Sequence, residues 1–334
     1  MMIDLVPIWA AILGLGVFMY VLMDGFDLGV GILFPFAPDE SARDFMMHSV
    51  APIWDGNETW LVLGGVALLA AFPLAFSVIL PALYFPFLFM LLGLLFRGVA
   101  FEFRNIEPAR KAFWSRAFNY GSIVATFSQG IILGAYIEGF KVVGREFAGS
   151  TFSWVTPFSL LTGVGLLFGY ALQGATWLVL KTEGPLQEWA KNKARICLAG
   201  VMVFILMVSL WTPFMRPSIA IRWFSWPDFL YLFPVPVLTI LIAWWLWDSL
   251  SKKRDLAPFF CSIGLFVLCY AGLGISLWPN ILPPDISLWQ AASDPKSQIF
   301  LLLGTLFLLP VILMYIGWSY WVFRGKVRED VGYH

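Results

Sequence analysis

Met23-Asp-Gly-Phe-Asp-Leu-Gly-Val-Gly31 places two carboxylates, Asp24 and Asp27, inside an apolar run that extends from about residue 7 to 34. One helix later, Trp54-Asp-Gly-Asn-Glu-Thr-Trp60 does the same with Asp55 and Glu58. Residues three apart share a helix face, so each pair points one way. An ionisable side chain inside a membrane helix costs several kcal/mol unless it faces protein or water. Two such pairs in adjacent segments call for a common purpose, and the reading taken from them is a buried proton path in a membrane complex.

Composition decides that these runs belong in a membrane. Of 334 residues, 60% are hydrophobic, 18% aromatic and only 13% charged; a soluble domain carries about twice that charged fraction. The runs are near 20 residues and do not alternate, which predicts helices and not a barrel. The expected fold is therefore an all-α integral membrane protein. Net charge is zero, so the global balance points to no nucleic-acid partner. The first basic residue is Arg43, so the start of the chain lacks a positive signal-peptide region and the first run is expected to remain as an anchor. Cys197, Cys261 and Cys269 lie in apolar segments without a C-x-x-C pair and read as buried small hydrophobes, not metal ligands.

Apolar runs bounded by Pro, Gly and charge predict nine spans, near 7–34, 51–72, 77–97, 117–138, 157–180, 195–214, 228–248, 257–278 and 298–322. Span 5 carries Gln173-Gly-Ala-Thr176, which lies over span 1 with Gln173 at the place of Asp24 and Thr176 at that of Asp27. This weak repeat implies two four-helix bundles plus one extra helix: 1–145 with the carboxylates, 146–280, and 281–334 with the ninth helix and the tail.

Basic residues set the orientation. Of the 21 Lys and Arg, 16 fall in the loops after spans 1, 3, 5 and 7 and in the tail, Lys253 and Arg328 among them. The other side holds five: Lys141, Arg145, Arg216, Arg222 and Lys296. The positive-inside rule puts the N-terminus outside and the C-terminus in the cytoplasm. A hydrocarbon core of about 30 Å takes roughly 20 residues, so Asp24 and Asp27 fall near the inner boundary. Asp55 and Glu58 enter from that side, and span 3 descends to it at Arg97 and Glu102. Acids and arginines of three consecutive helices are thus expected to converge at one end.

Each group also has a plainer reading. Asp24 and Asp27 could be a neutralised pair, with Gly25 and Gly29 allowing a helix to approach closely. Asp55 and Glu58 suit the first turns of a helix, where acids complement its dipole. Arg97 and Glu102 read equally as a boundary salt bridge or the mouth of the path. Asn57 offers a donor and an acceptor for a water chain. Gln129 and Gln173 read as interhelical hydrogen-bonding groups, Gln173 also as a polar relay, and Glu138 as a solvated helix end. Only two histidines occur, His48 and His334, so no helix offers a His pair for haem and no His cluster for copper or zinc. A phosphate-binding G-x-x-x-x-G-K-[ST] is absent.

Asp24-Gly-Phe-Asp-Leu-Gly-Val-Gly31, Ala51-Pro-Ile-Trp-Asp-Gly-Asn-Glu-Thr-Trp-Leu-Val62, Phe96-Arg-Gly-Val-Ala-Phe-Glu-Phe-Arg104 and Gln173-Gly-Ala-Thr176 together resemble subunit II of the cytochrome bd-type quinol oxidases. The resemblance extends in length and span count over the whole chain. It implies a heterodimer in a bacterial inner membrane, part of the electron transport of aerobic respiration. Subunit I of such a complex holds two haem b and one haem d, oxidises quinol and reduces O2 to water. Subunit II would bind no haem itself, would brace subunit I and would help conduct cytoplasmic protons, so contributing to a proton-motive force without pumping. A structural quinone in some members, a small accessory subunit and membrane lipid are further implied partners. Asp24, Asp27, Asp55, Arg97 and Glu102 match the family's proton-path positions. Two departures stand out: Ile53 where many members have His, and Glu102 where many have Asp. Compact length also makes the chain similar to the cyanide-insensitive branch. Two readings of another class remain beside this one, a proton-coupled secondary transporter and a purely structural assembly subunit.

Overall fold

The computed structural model describes residues 4–252 and 254–327. Lys253, Arg328 and His334, which entered the charge and histidine arguments, lie outside the described residues. The first long helix, α1 (Val6–Leu33), starts with Pro7 in its first turn and runs on into a 3-10 turn at Phe34–Phe36. A short α2 (Glu40–Val50) follows, its N-terminus capped by the Asp39 carboxylate, which accepts from the Ala42 N–H at 2.7 Å.

The chain then forms α3 (Trp54–Ala71), α4 (Pro73–Ala82) and α5 (Tyr84–Ile106). The span expected at 77–97 is therefore divided. Pro73 disfavours helical geometry at Phe72, whose ψ is 61°, and a second break falls at Leu83 between Pro81 and Pro86. With ten residues, α4 reaches about 15 Å and cannot cross a bilayer alone.

Next, α6 (Lys111–Glu138) ends at Gly139, whose φ of 77° is the left-handed value glycine adopts freely. A ribbon of β1 (Val142–Val143) and β2 (Glu146–Phe147) leads to α7 (Pro157–Lys181), opened by a capping box between Thr156 and Ser159. The 32-residue α8 (Gly184–Met215) spans about 48 Å, so the charged turns before residue 195 extend beyond any apolar core. The second half continues with α9 (Pro217–Phe224), α10 (Asp228–Leu232), α11 (Pro234–Leu250) and α12 (Leu256–Leu277). A second ribbon, β3 (Asn280–Leu282) and β4 (Ile286–Ser287), precedes α13 (Leu288–Ala291) and α14 (Pro295–Val322). The all-α membrane expectation holds, with two short two-stranded ribbons closing loops between helices.

Among the described residues, eight helical segments are long and apolar enough to cross a membrane, and they correspond to the first and the third to ninth expected spans. The second forms as α3, whose polar opening turns lower its mean hydropathy. Cys197 and Cys261 are buried as expected, but Cys269 is exposed on α12, a correction with a simple cause: in a membrane helix an apolar side chain gains nothing by pointing inward. Trp226, Trp278, Trp289, Trp318 and Trp321 are exposed near helix ends, where tryptophan favours a membrane–water interface, and Trp223 is half-buried.

Two glycine contacts position the site. Where α1 crosses α7, a Cβ on Gly29 would lie 1.8 Å from the Tyr170 carbonyl oxygen, and one on Gly174 would lie 2.3 Å from the Gly29 carbonyl carbon. Where α5 crosses α6, a Cβ on Gly93 would lie 2.7 Å from the Gly121 oxygen. Backbones this close leave α1 fully enclosed from Met23 to Gly31.

Candidate functional site: a buried carboxylate cluster

Arg97, on α5, has no exposed surface. One terminal nitrogen donates to Asp24 Oδ1 of α1 at 2.6 Å and the other donates to Glu58 Oε1 of α3. The guanidinium carbon lies 5.8 Å from the Trp54 ring, which itself stacks on Phe101 at 5.0 Å. A guanidinium suits this position because its planar fork can hold two carboxylates at once. Three segments expected to converge at one end of the bundle do meet here.

Asp27 lies one turn along α1. Its Oδ2 accepts from Asn57 Nδ2 at 2.7 Å, and the same amide also donates to the Met23 carbonyl at 3.3 Å. Asn57 Oδ1 accepts from the Tyr320 hydroxyl of α14 at 2.9 Å. Two carboxylate oxygens, Asp24 Oδ2 and Asp27 Oδ1, are buried without a hydrogen-bond partner among the described residues. One guanidinium thus faces three carboxyl groups, two enclosed and one, Glu58, about a quarter exposed.

On the other side of Asp24 a polar chain links three helices. The Tyr170 hydroxyl donates to Gln129 Oε1 at 2.8 Å, Gln129 Nε2 donates to the Tyr20 hydroxyl at 2.8 Å, and that hydroxyl lies beside Asp24. Gln129 therefore joins α1, α6 and α7, the interhelical role read for it. Tyr20 was legible in principle, since it precedes Asp24 by four and shares its face. Tyr170 and Tyr320 come from distant segments and no local pattern reveals them.

Other sequence-read positions stand apart. Asp55 is exposed on α3, on the stripe that carries Thr59 and Val62. Glu102 is exposed on α5 and in no ion pair among the described residues; of the two readings open for Arg97 and Glu102 the salt bridge falls away, because Arg97 turns to Asp24 and Glu58. Gln173 is fully buried, neither amide atom has a hydrogen-bond partner among the described residues, and a Cβ on Gly25 would lie 2.3 Å from its Oε1. Glu138 accepts from the Thr156 hydroxyl at 2.6 Å and so ties α6 to the start of α7.

A second ionic cluster escaped the sequence reading. Arg104, almost wholly buried over Phe34, donates to Asp44 at 2.6 Å, Glu40 at 2.8 Å and Ser115 at 2.9 Å, and Lys111 pairs with both acids. It fastens α2 to the α5–α6 turn. Partial burial acts to raise the carboxyls of Glu40 and Asp44, but hydrogen bonds and charge from Arg43, Arg104 and Lys111 outweigh it and hold both below the usual carboxylate range.

No group of three or more His, Cys, Asp or Glu among the described residues is placed to hold a metal ion. His48, on the short α2, is the one histidine among the described residues, so these residues offer no axial His pair.

The family model for cytochrome bd terminal oxidase subunit II matches residues 5–323. The chain belongs to that family. Subunit II relatives include cytochrome bd-I ubiquinol oxidase subunit 2 of Escherichia coli (strain K12), 27% identical over 369 residues that cover 97% of this chain and 96% of the relative. Cytochrome bd ubiquinol oxidase subunit 2 of Bacillus subtilis (strain 168) is 28% identical over 336 residues, covering 98% and 97%. A chain of the bd oxidase structure from Geobacillus thermodenitrificans shares the fold with a TM-score of 0.79 at 16% identity, covering 96% of this chain and 99% of that one. In this chain the buried cluster is drawn from α1, α3 and α5.

Proposed function

We propose that this subunit II is the haem-free partner of a haem-bearing subunit I in a bacterial inner membrane, and that it conducts cytoplasmic protons toward the site of O2 reduction. The haems of subunit I, two b and one d, would take electrons from quinol and pass them to O2. This chain would supply the protons and a rigid flank, contributing to proton-motive force because quinol releases its own protons on the opposite side. Orientation with the N-terminus periplasmic and the C-terminus cytoplasmic rests on the asymmetry of Lys and Arg.

The observation that carries the reading is the single buried guanidinium of Arg97 facing Asp24, Glu58 and Asp27. A low-dielectric site that holds three carboxyl groups against one cation balances its charge by holding protons. Glu58 is the partly exposed member through which protons reach Asp24, and Asp55 and Thr59 continue the polar surface along α3. Glu102, at the same end of α5, completes the acidic mouth. A transporter reading gains nothing comparable, since the corresponding segment of α7 carries Gln173 and Thr176 and no acid.

A structural reading has one observation in its favour: Arg97 is fully engaged on both terminal nitrogens, as in a helix-fixing ion lock. Quinol-driven O2 consumption by the intact complex carrying Asp24→Asn or Asp55→Asn, with haem content checked by difference spectra, separates the two. Proton conduction requires turnover to fall by about tenfold or more with haems in place. Normal turnover in an assembled complex leaves the acids as packing groups.

A further inference from the structure

Between the start of α3 and the end of α14 lies a cavity of about 30 Å³, lined by Pro52, Gly56, Asn57, Ile316, Ser319 and Tyr320. A cavity needs roughly 10–15 Å³ to hold one water, so this one takes a water or two, and its walls offer the hydroxyls of Ser319 and Tyr320 and the Asn57 amide as partners. Behind Asn57 stands Asp27, whose Oδ1 is buried and unpartnered.

The three hydrogen bonds of the Asn57 side chain give the arrangement a direction. Tyr320 donates to its Oδ1, and its Nδ2 donates to Asp27 Oδ2 and to the Met23 carbonyl. With the carbonyl side occupied by a donor and the amide side committed to acceptors, the side chain cannot flip without losing these bonds. A carboxamide does not titrate near neutrality, so Asn57 separates the cavity from Asp27 and does not relay protons between them. Tyr320 stands in the last turn of α14, half-buried against Trp177, and is the member of this pair whose side chain comes from outside the α1–α3–α5 cluster.

We propose that the α3–α14 cavity is a water station on the proton path and that the Tyr320–Asn57 hydrogen bond is its gate. This inference rests on the proton-conducting reading above. When Tyr320 withdraws, Asn57 is free to turn from Asp27, and cavity water reaches Asp27 Oδ1. A hydrated proton there breaks one O–H bond of hydronium and forms one on Oδ1, leaving neutral water behind. Tyr320 and Asn57 are positioning residues; Asp27 carries the proton.

The test uses the intact oxidase complex, fully reduced and mixed with O2, with proton uptake followed by a pH-indicator dye and haem content and O2 binding followed optically. Gly56→Val fills the cavity from α3, where an added Cβ meets nothing within 4 Å, and Ser319→Leu fills it from α14. Each is expected to slow proton uptake about tenfold while O2 binding is unchanged. Tyr320→Phe removes one oxygen and keeps the ring 6.4 Å from Trp177; it is expected to speed uptake. Unchanged uptake in an assembled cavity-filled variant overturns the proposal. So does unchanged or slowed uptake in Tyr320→Phe, which is decisive if the filled variants fail to assemble. Asp24→Asn, which removes the carrier of the Glu58–Asp24 route, distinguishes the levels: normal uptake there sinks the conduction reading itself, whereas slow uptake there beside normal uptake in Gly56→Val sinks only the cavity.

Discussion

Arg97 and Asp24 stand 73 positions apart in the chain and 2.6 Å apart in the fold, both without meaningful exposure. Removing one partner of a buried ion pair strands the other at a cost of about 3–5 kcal/mol. The partners are unequal here. Asp24→Asn leaves Arg97 with Glu58, whereas Arg97→Gln leaves Asp24, Asp27 and Glu58 without a cation. Arg97→Gln is therefore expected to lower the thermal stability of the detergent-solubilised complex more than Asp24→Asn. Because the two share one contact, the double variant should lose less than the sum, which a thermal-melt double-mutant cycle would show.

The α1–α7 crossing makes a second prediction. A methyl on Gly29 meets the Tyr170 carbonyl oxygen, a backbone atom that cannot swing aside. Gly29→Ala is expected to push the helices apart at a cost of about 1–3 kcal/mol and reduce the yield of haem-loaded complex. Gly65→Ala, where an added Cβ meets nothing within 4 Å, should leave yield unchanged. Equal yields of the two variants would mean the crossing tolerates repacking.

Much of this architecture was visible in the chain because the bilayer imposes its own grammar. Eight of the nine runs appear as long apolar helices, and the convergence of α1, α3 and α5 followed from span length and charge placement. Other features could not be read. The split of the third span depends on where Pro73, Pro81 and Pro86 fall relative to helix turns. Of the two readings open for Arg97 and Glu102 the salt bridge does not form, because Asp24 and Glu58 reach Arg97 through three-dimensional packing that no local spacing shows. The partners of Arg104 come from α2, a helix too short and polar to stand out as an apolar run, which folds back over it.

That α2 latch gives a pH dependence. Glu40 and Asp44 are held below the usual carboxylate range, so their contribution is fully present above an ordinary carboxylate pKa of about 4 and is lost as pH falls through the depressed folded values. Hydrogen–deuterium exchange of the α2 amides, corrected for the intrinsic rate, should show protection that is flat from neutral pH down to about 5 and drops below about 4. Arg104→Ala should reduce α2 protection at neutral pH and flatten the acid-dependent change. Persistent protection in that variant would show that Met46, Met47 and Val50 hold α2 by packing alone.

Tyr170, Gln129 and Tyr20 allow stability and turnover to be separated. Tyr170→Phe leaves Gln129 Oε1 without a donor, and Tyr20→Phe leaves Gln129 Nε2 without an acceptor. Each strands one polar atom between helices, so the two are expected to cost similar stability, about 1 kcal/mol on the scale of interhelical hydrogen bonds in membranes. Of the two, Tyr20 is in direct contact with Asp24, the carboxylate that Arg97 holds, whereas Tyr170 feels only its charge from farther off. Quinol-driven O2 consumption should therefore fall several-fold in Tyr20→Phe and stay near normal in Tyr170→Phe, while thermal melts of the two complexes agree within about 0.5 kcal/mol. A parallel fall in both would assign the chain to packing, because a loss that ignores distance from Asp24 follows the loosened helices and not the proton carrier.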